Sequence, residues 1–277
     1  MRPFALAALL ALSACTPSAP EQDDREPASS PERTARPTLA TAADSLAWRI
    51  VEAAGGLDAW EALPALRFDF GAELDTGERR PPRRHLWDRR TGRYRLEWTT
   101  ADDAQGVALF SVTGVTGGVP AGRVFIDGAP LDSAATRAEL EAAYARFIND
   151  TYWLLAPLKL FDPGVRRALA PDSADAATEV LALSFEDVGL TPGDRYWLRA
   201  DRATGRLVAW SFLLEDGAPG AHRWEEVVEV PTPAGPLRLA TRKRAADGSR
   251  SILTPVAAAE PDSVAFEDPG PRLRHLR

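Results

Sequence analysis

The segment LVAWSFLL, residues 207–214, is apolar on both faces of any strand it forms. Successive side chains of a strand point to opposite sides. Val208, Trp210, Phe212 and Leu214 therefore share one face, and Leu207, Ala209 and Leu213 the other. An antiparallel strand commonly keeps one face wet. Here both faces must be covered, or one must line a cavity. A large curved sheet holding a long amphipathic helix in its concavity meets that demand economically.

The rest of the chain supplies such a sheet. LRFDFGAEL (66–74) alternates Leu66, Phe68 and Phe70 with polar neighbours, and RHLWDRRTGRYRLEW (84–98) reads as a hairpin turning at Thr91-Gly92. Further strands are expected at 106–114, 122–128, 178–187, 194–215 (a second hairpin, turning at Thr204-Gly205), 222–230, 237–245 and 249–257, with a last edge at 264–269. DRRTGR (88–93) and DRATGR (201–206) nearly match, as two similar turns do without any duplication. About nine to ten strands at hairpin spacing predict an antiparallel sheet and no βαβ units. The fold class is α+β, mainly β: a curved antiparallel half-barrel wrapped around one long helix.

Helix signals are few. Residues 43–56 place Leu46, Ile50 and Ala53 or Ala54 on one face and stop at Gly55-Gly56, and 57–63 adds a short turn before Pro64. The long helix has a capping-box start at Thr136 and Glu139. Leu140, Tyr144, Phe147, Ile148, Thr151, Leu154 and Leu155 give it an apolar face, and Pro157 ends it.

The first residues, MRPFALAALLALSAC, read as an export signal: Arg2, then an apolar run from Phe4 to Leu12 that is too short to span a bilayer, which takes about 20 apolar residues. Leu12-Ser13-Ala14-Cys15 resembles the lipobox of bacterial lipoproteins. That resemblance implies cleavage of residues 1–14 and lipidation of Cys15, the single cysteine. Thr16 and Pro17 follow, with no Asp directly after the Cys, which favours the outer membrane under proteobacterial sorting rules. Residues 15–40, rich in Pro, Ser, Ala and charge, read as a lipidated disordered tether. Residues 41–277 remain for one folded domain.

The net charge, −7 and −8 once Arg2 is removed, argues against nucleic acid as a partner. Positive charge gathers at residues 79–95, with eight Arg against one Asp. A solvated hairpin face is the first expectation, and a patch for anionic headgroups or a partner the sharper one. His85, His222 and His275 are not at metal-ligand spacing, and no P-loop, GxGxxG, GxSxG or HExxH occurs. Neither a metal, a cofactor nor a catalytic residue is expected.

FINDTYWLLAPLKLFDPG (147–164) is the densest stretch. Asn149, Asp150 and Trp153 fall off the apolar face, with Tyr152 between, and Asn and Asp are poor choices for a helix interior. Either they tie the helix to a neighbouring strand, or they form a polar rim at a cavity mouth where Lys159 or Arg195 meets an anionic headgroup. Lys159 is one of only two lysines, beside Lys243.

This stretch, with LSFEDVGLTPGDRYWLRADRATGRLVAW (183–210), resembles a family of uncharacterised bacterial lipoproteins with the motifs N-D-T-Y-W-L-L-x-P-x-K-L-x-D-P-G and G-L-T-P-G-D-x-Y-W. More distantly, the layout and the D-x-x-T-G hairpins at Asp88–Gly92 and Asp201–Gly205 are similar to the LolA/LolB/RseB group of periplasmic proteins. In that group an open half-barrel wraps helices and leaves a cavity for acyl chains. The resemblance implies a non-catalytic protein on the periplasmic face of the outer membrane, anchored by its lipid, that binds a lipid or acylated ligand. Candidate lining residues are Trp87, Trp98, Tyr152, Trp153, Trp197, Trp210 and Phe212, with Asn149, Asp150, Lys159 and Arg195 as polar contacts. The alternative is an interaction or sensor module in which the arginine hairpin meets an envelope protein partner, and a hydrolase ranks last. A filled core and an open cavity require the same apolar faces, so both stand at this point.

Overall fold

Each of the two D-x-x-T-G turns is built by one Asp side chain. Asp88 accepts from the Arg90 and Thr91 amides and the Thr91 hydroxyl, and Asp201 from the Thr204 amide (2.8 Å) and hydroxyl (2.6 Å). Gly92 and Gly205 then take φ of +73° and +72°, where a side chain is strained. These turns recur in a computed structural model that describes residues 36–115, 117–186, 191–260 and 262–276. The segment 1–14, Cys15 and most of the tether lie outside the described residues, as do positions 187–190 of the second motif.

The described strands are β1 (Ala65–Leu74), β2 (Arg83–Asp88), β3 (Arg93–Thr99), β4 (Gln105–Ser111), β5 (Gly122–Ile126), β6 (Ala129–Pro130), β7 (Val165–Leu169), β8 (Thr178–Phe185), β9 (Arg195–Asp201), β10 (Leu207–Leu213), β11 (Pro219–Val230), β12 (Leu237–Ala245), β13 (Arg250–Leu253) and β14 (Val256–Ala259). They form one antiparallel sheet in the order β6-β5-β4-β3-β2-β1-β13-β12-β11-β10-β9-β8-β7, with β14 paired to β1. The helices are α1 (Ala42–Ala53), α2 (Gly56–Ala62) and α3 (Ser133–Leu155). All three contribute to one core on the inner face of the sheet.

The class is as expected, but the strand count of 14 exceeds nine to ten. The short edges β6 and β7 carry no clear alternation. The expected strand at 249–257 divides at Thr254-Pro255, because proline cannot donate to a ladder. Pro255 instead accepts from the Asp69 amide, and β1 pairs β14 along 65–68 and β13 along 71–74. Residues 264–266 form a 3-10 turn, not an edge strand. Asp132 caps α3 by accepting from the Ala134 and Ala135 amides, so the helix begins before Thr136. Thr41 and Asp44 cap α1 reciprocally, each accepting the other's amide at 3.0 Å.

α3 spans two halves of the sheet. Its first half buries Leu140, Ala143 and Phe147 with Tyr94, Leu96, Trp98, Phe110 and Val124. Its second half buries Leu154 and Leu155 with α1, α2 and the inner residues of β8 to β12. α1 and α2 thus share the concavity, where a single helix was expected.

Arg79, Arg80 and Arg90 of the arginine stretch are exposed, as expected of a solvated face, but the others form a structural network. Arg83 binds Asp150, Arg89 stacks on Trp60 at 3.5 Å, and Arg93 binds Asp88. Arg95 is fully buried on the outer face beside Glu97, at 2.6 Å. It donates to the carbonyls of Ala265 (2.9 Å), Asp268 (2.8 Å) and Gly270, while Glu97 accepts the Arg272 and Leu273 amides. Arg67 and Asp69 hold Arg274 and Leu276 in the same way. Charged side chains of β1 and β3 therefore bind the C-terminal segment along its main chain.

A buried charge stripped of its partner typically costs about 3–5 kcal/mol. Arg95→Met is expected to lower stability by about that amount in urea denaturation and to speed amide exchange at residues 270–276. Arg95→Met/Glu97→Leu should recover part of the loss, and a single variant as stable as the parent would contradict this account.

Candidate functional site

Asp150 sits in the C-terminal half of α3 with no solvent exposure, although helix periodicity placed it off the buried face. It faces β2. Arg83 grips it with Nε and a terminal nitrogen, both at 2.7 Å, and His85 Nε2 lies 3.1 Å away. Asn149 donates to its Oδ1 at 2.8 Å. His85 Nδ1 meets the Tyr94 hydroxyl at 2.8 Å, and its ring stacks on Phe68 at 4.3 Å. Burial alone would raise the Asp150 pKa, but hydrogen bonds from His85 and Arg83 outweigh it and the net shift is downward. For His85 burial dominates and pushes the pKa down, so the imidazole is neutral. The pair ties the helix to the sheet.

The same part of α3, on either side of Asp150, borders a cavity of about 670 Å³. Ala145, Ile148, Asn149, Tyr152 and Trp153 form its helical wall. The sheet contributes Phe70, Phe185, Tyr196, Phe212, His222 and Ile252, and the hairpin ends add Thr191, Asp194, Leu214, Ala218 and Arg250. Cross-strand register places Phe212 opposite Gly220. The Phe212 ring lies over that glycine so closely that an added Cβ would stand 2.1 Å from it. Trp153 meets Trp210 edge-on at 4.8 Å and His222 at 4.7 Å, and Tyr152 meets Tyr196 at 5.3 Å. The Tyr152 and Tyr196 hydroxyls have raised pKa values, from burial first. Both stay protonated at neutral pH.

The candidate residues do not gather in one place. Asn149, Tyr152, Trp153 and Phe212 line this cavity. Trp210 is buried directly behind it. Trp87 and Trp98 pack under the first half of α3, Trp98 over Gly106 and Trp87 edge-on to Phe147 at 5.3 Å. Trp197 points the other way, into an outer groove of about 450 Å³ with Arg199, Ser211 and Arg223. Asp150 is consumed by Arg83 and His85. Lys159 pairs with Asp162 at 2.9 Å, and neither it nor exposed Arg195 lines the cavity.

Sequence reasoning passed over His222, Asp194, Tyr196 and Arg250. His222 and Trp224 share a strand face, which the pattern HRWEE could have revealed. Arg250 and Asp194 reach the rim only because three hairpins end together, and no local pattern carries that. Among the described residues no group of three or more His, Cys, Asp or Glu is placed to hold a metal ion.

A histidine held neutral by burial titrates below its unfolded value of about 6.5, so its contribution is complete above that pH and lost as pH falls toward the folded pKa. Asp150, held ionised, loses its contribution at lower pH still. Each buried histidine therefore costs up to about 1.4 kcal/mol per pH unit below 6.5. The urea midpoint is expected to fall from pH 6.5 to 5, and His85→Gln should fall less steeply. Parallel slopes would show that His85 is not held neutral.

No family model matches the chain and no curated protein matches it. Among solved structures it is similar to a LolA superfamily protein from Nitrosomonas europaea, at 12% identity and a TM-score of 0.41, covering 82% of this chain and 98% of that one. It is also similar to a DUF1329 family protein from Desulfovibrio piger, at 8% identity and a TM-score of 0.42, covering 80% and 94%. A third is the complex of Pseudomonas aeruginosa MucA/MucB, at 14% identity and a TM-score of 0.21, covering 76% and 93%.

Proposed function

We propose that this protein is a lipid-anchored envelope protein, attached through Cys15 and facing the periplasm, that holds a lipid or acylated molecule without transforming it. The observation that carries this reading is the aromatic cavity between α3 and the sheet. At about 670 Å³ it lies within the range of about 300–1,000 Å³ usual for small-molecule sites. Its lining is mostly apolar with a few polar groups at the rim, the composition expected for a ligand with a long apolar part. The two lining residues suited to acid–base work, Asp194 and His222, are not bonded to each other, and the Asp194 carboxylate is already engaged. Among the described residues no helix is long and apolar enough to cross a membrane, and the Cys15 anchor would supply the attachment. The outer membrane, favoured by Thr16 and Pro17, is the location proposed. Of the eight arginines in the 79–95 stretch, most are tied internally, which favours the cavity over that hairpin as the working surface.

The test is native mass spectrometry of the chain carrying Cys15→Ser, exported to the periplasm and released gently, together with displacement of a fluorescent fatty-acid probe. A co-purifying mass that extracts as lipid is expected, with probe binding weakened about tenfold or more in Ala145→Trp, whose indole would fill the cavity. A bare protein mass with no probe binding would refute the reading.

A further inference from the structure

We infer that the cavity takes lipids with a compact anionic headgroup, carboxylate or phosphate, which Arg250 and His222 receive; this rests on the cavity being the ligand site. His222 lies on β11 and is 4% exposed, and neither ring nitrogen has a hydrogen-bond partner among the described residues. Trp153 abuts the ring edge-on and Phe212 lies nearly parallel to it at 6.0 Å. A buried imidazole left without partners is uncommon in native proteins, where buried polar atoms find protein or other partners. The ring lines the cavity, so the missing partner is one the cavity can admit.

Charge at the rim decides what that partner is. Arg250 begins β13, is exposed, lines the same cavity, and forms no ion pair with a described residue. The nearby carboxylates are already engaged. Asp194 accepts from the Thr191 hydroxyl (2.8 Å), the Tyr196 hydroxyl (3.2 Å) and the Glu215 amide (3.0 Å). Asp247 accepts from the Ser249 amide (3.0 Å) and hydroxyl (2.7 Å). The cavity lining thus holds one cation without a carboxylate and one imidazole without a partner. A guanidinium binds carboxylate or phosphate through paired N–H groups, and a neutral imidazole adds one donor. Burial, then the charge of Arg250, holds the His222 pKa down to about 4, so the imidazole is neutral at periplasmic pH. The walls of Tyr152, Trp153, Phe185 and Phe212 take the chain.

Palmitate, hexadecanol and 1-palmitoyl lysophosphatidic acid titrated into the full chain carrying Cys15→Ser, followed by tryptophan fluorescence, distinguish the possibilities. Palmitate, lysophosphatidic acid or both should bind at least about tenfold more tightly than hexadecanol. Binding of palmitate alone identifies a carboxylate site, and of lysophosphatidic acid alone a phosphate site. Arg250→Gln and His222→Phe should each remove most of that preference. Arg250 is on the surface, so its variant tests the idea without disturbing the core. Equal affinity for acid and alcohol in the parent overturns the headgroup assignment and leaves the cavity reading intact. Failure of all three ligands to bind overturns both.

Discussion

The Asp150 carboxylate, buried in the long helix and gripped by Arg83 and His85, is the interaction on which the arrangement depends. A carboxylate in an apolar interior is costly unless it is paired and its remaining lone pairs are satisfied. Arg83, His85 and Asn149 supply that pairing from three directions. Apolar packing would let α3 slide or rotate along the sheet at little cost. A two-point grip on one side chain fixes both its rotation and its position along β2. With Asp150 turned to β2, Tyr152 and Trp153 turn to β9, β10 and β11, and the aromatic wall follows.

The outer face is organised by the opposite logic. Inner residues of β1 and β3 are Leu66, Phe68, Tyr94 and Leu96, whereas outer residues are Arg67, Asp69, Arg95 and Glu97. These charges are buried too, beneath the C-terminal segment, and they satisfy its backbone groups because that segment pairs with no strand there. Strands with one apolar and one charged face thus bury both. LVAWSFLL solves the same problem differently. The β10–β9 register shifts between Leu207 and Ala209, so Leu207 joins Trp210 on the inner face. The outer face then carries Ala209, Ser211 and Leu213, the last 41% exposed, and needs only partial cover.

The period-2 and 3.6-residue patterns made most strands, α1 and the apolar seam of α3 legible, because burial acts on alternate or every third and fourth residue. Features set by partners distant in sequence were not. Asp150 reads as exposed until Arg83 and His85, over 60 residues away, are brought beside it. Arg84 and Arg95 read as solvated because the segment that binds them lies at the far end of the chain. The scarcity of lysine was a true signal attached to the wrong residue. Lys159 makes an ordinary surface pair, whereas Lys243 is fully buried, 2.6 Å from both the Ala240 carbonyl and the Thr254 hydroxyl, with no carboxylate partner. Burial pushes its pKa well down. An arginine there could not shed its charge, so this is the position where lysine answers a specific need.

The cavity follows from a mismatch in length between sheet and helices. The α1–α2 junction sits on the β11–β12 turn, where Arg238 donates its amide to the Ala54 carbonyl and Gly55 leaves no room for a Cβ against Pro236. From that end, α1 and α2 cover Val230, Leu237 and Leu239. β11 runs for 12 residues, and its other end, from Gly220 to His222, lies beyond them. Among the described elements, α3 crosses above that end, where Trp153 meets His222, and Asp150 holds it over β2, so the helix cannot settle onto the remaining strand ends. Aromatic side chains fill part of the gap and leave His222 facing the rest. The constraint that fixes the helix is therefore also what keeps the cavity open.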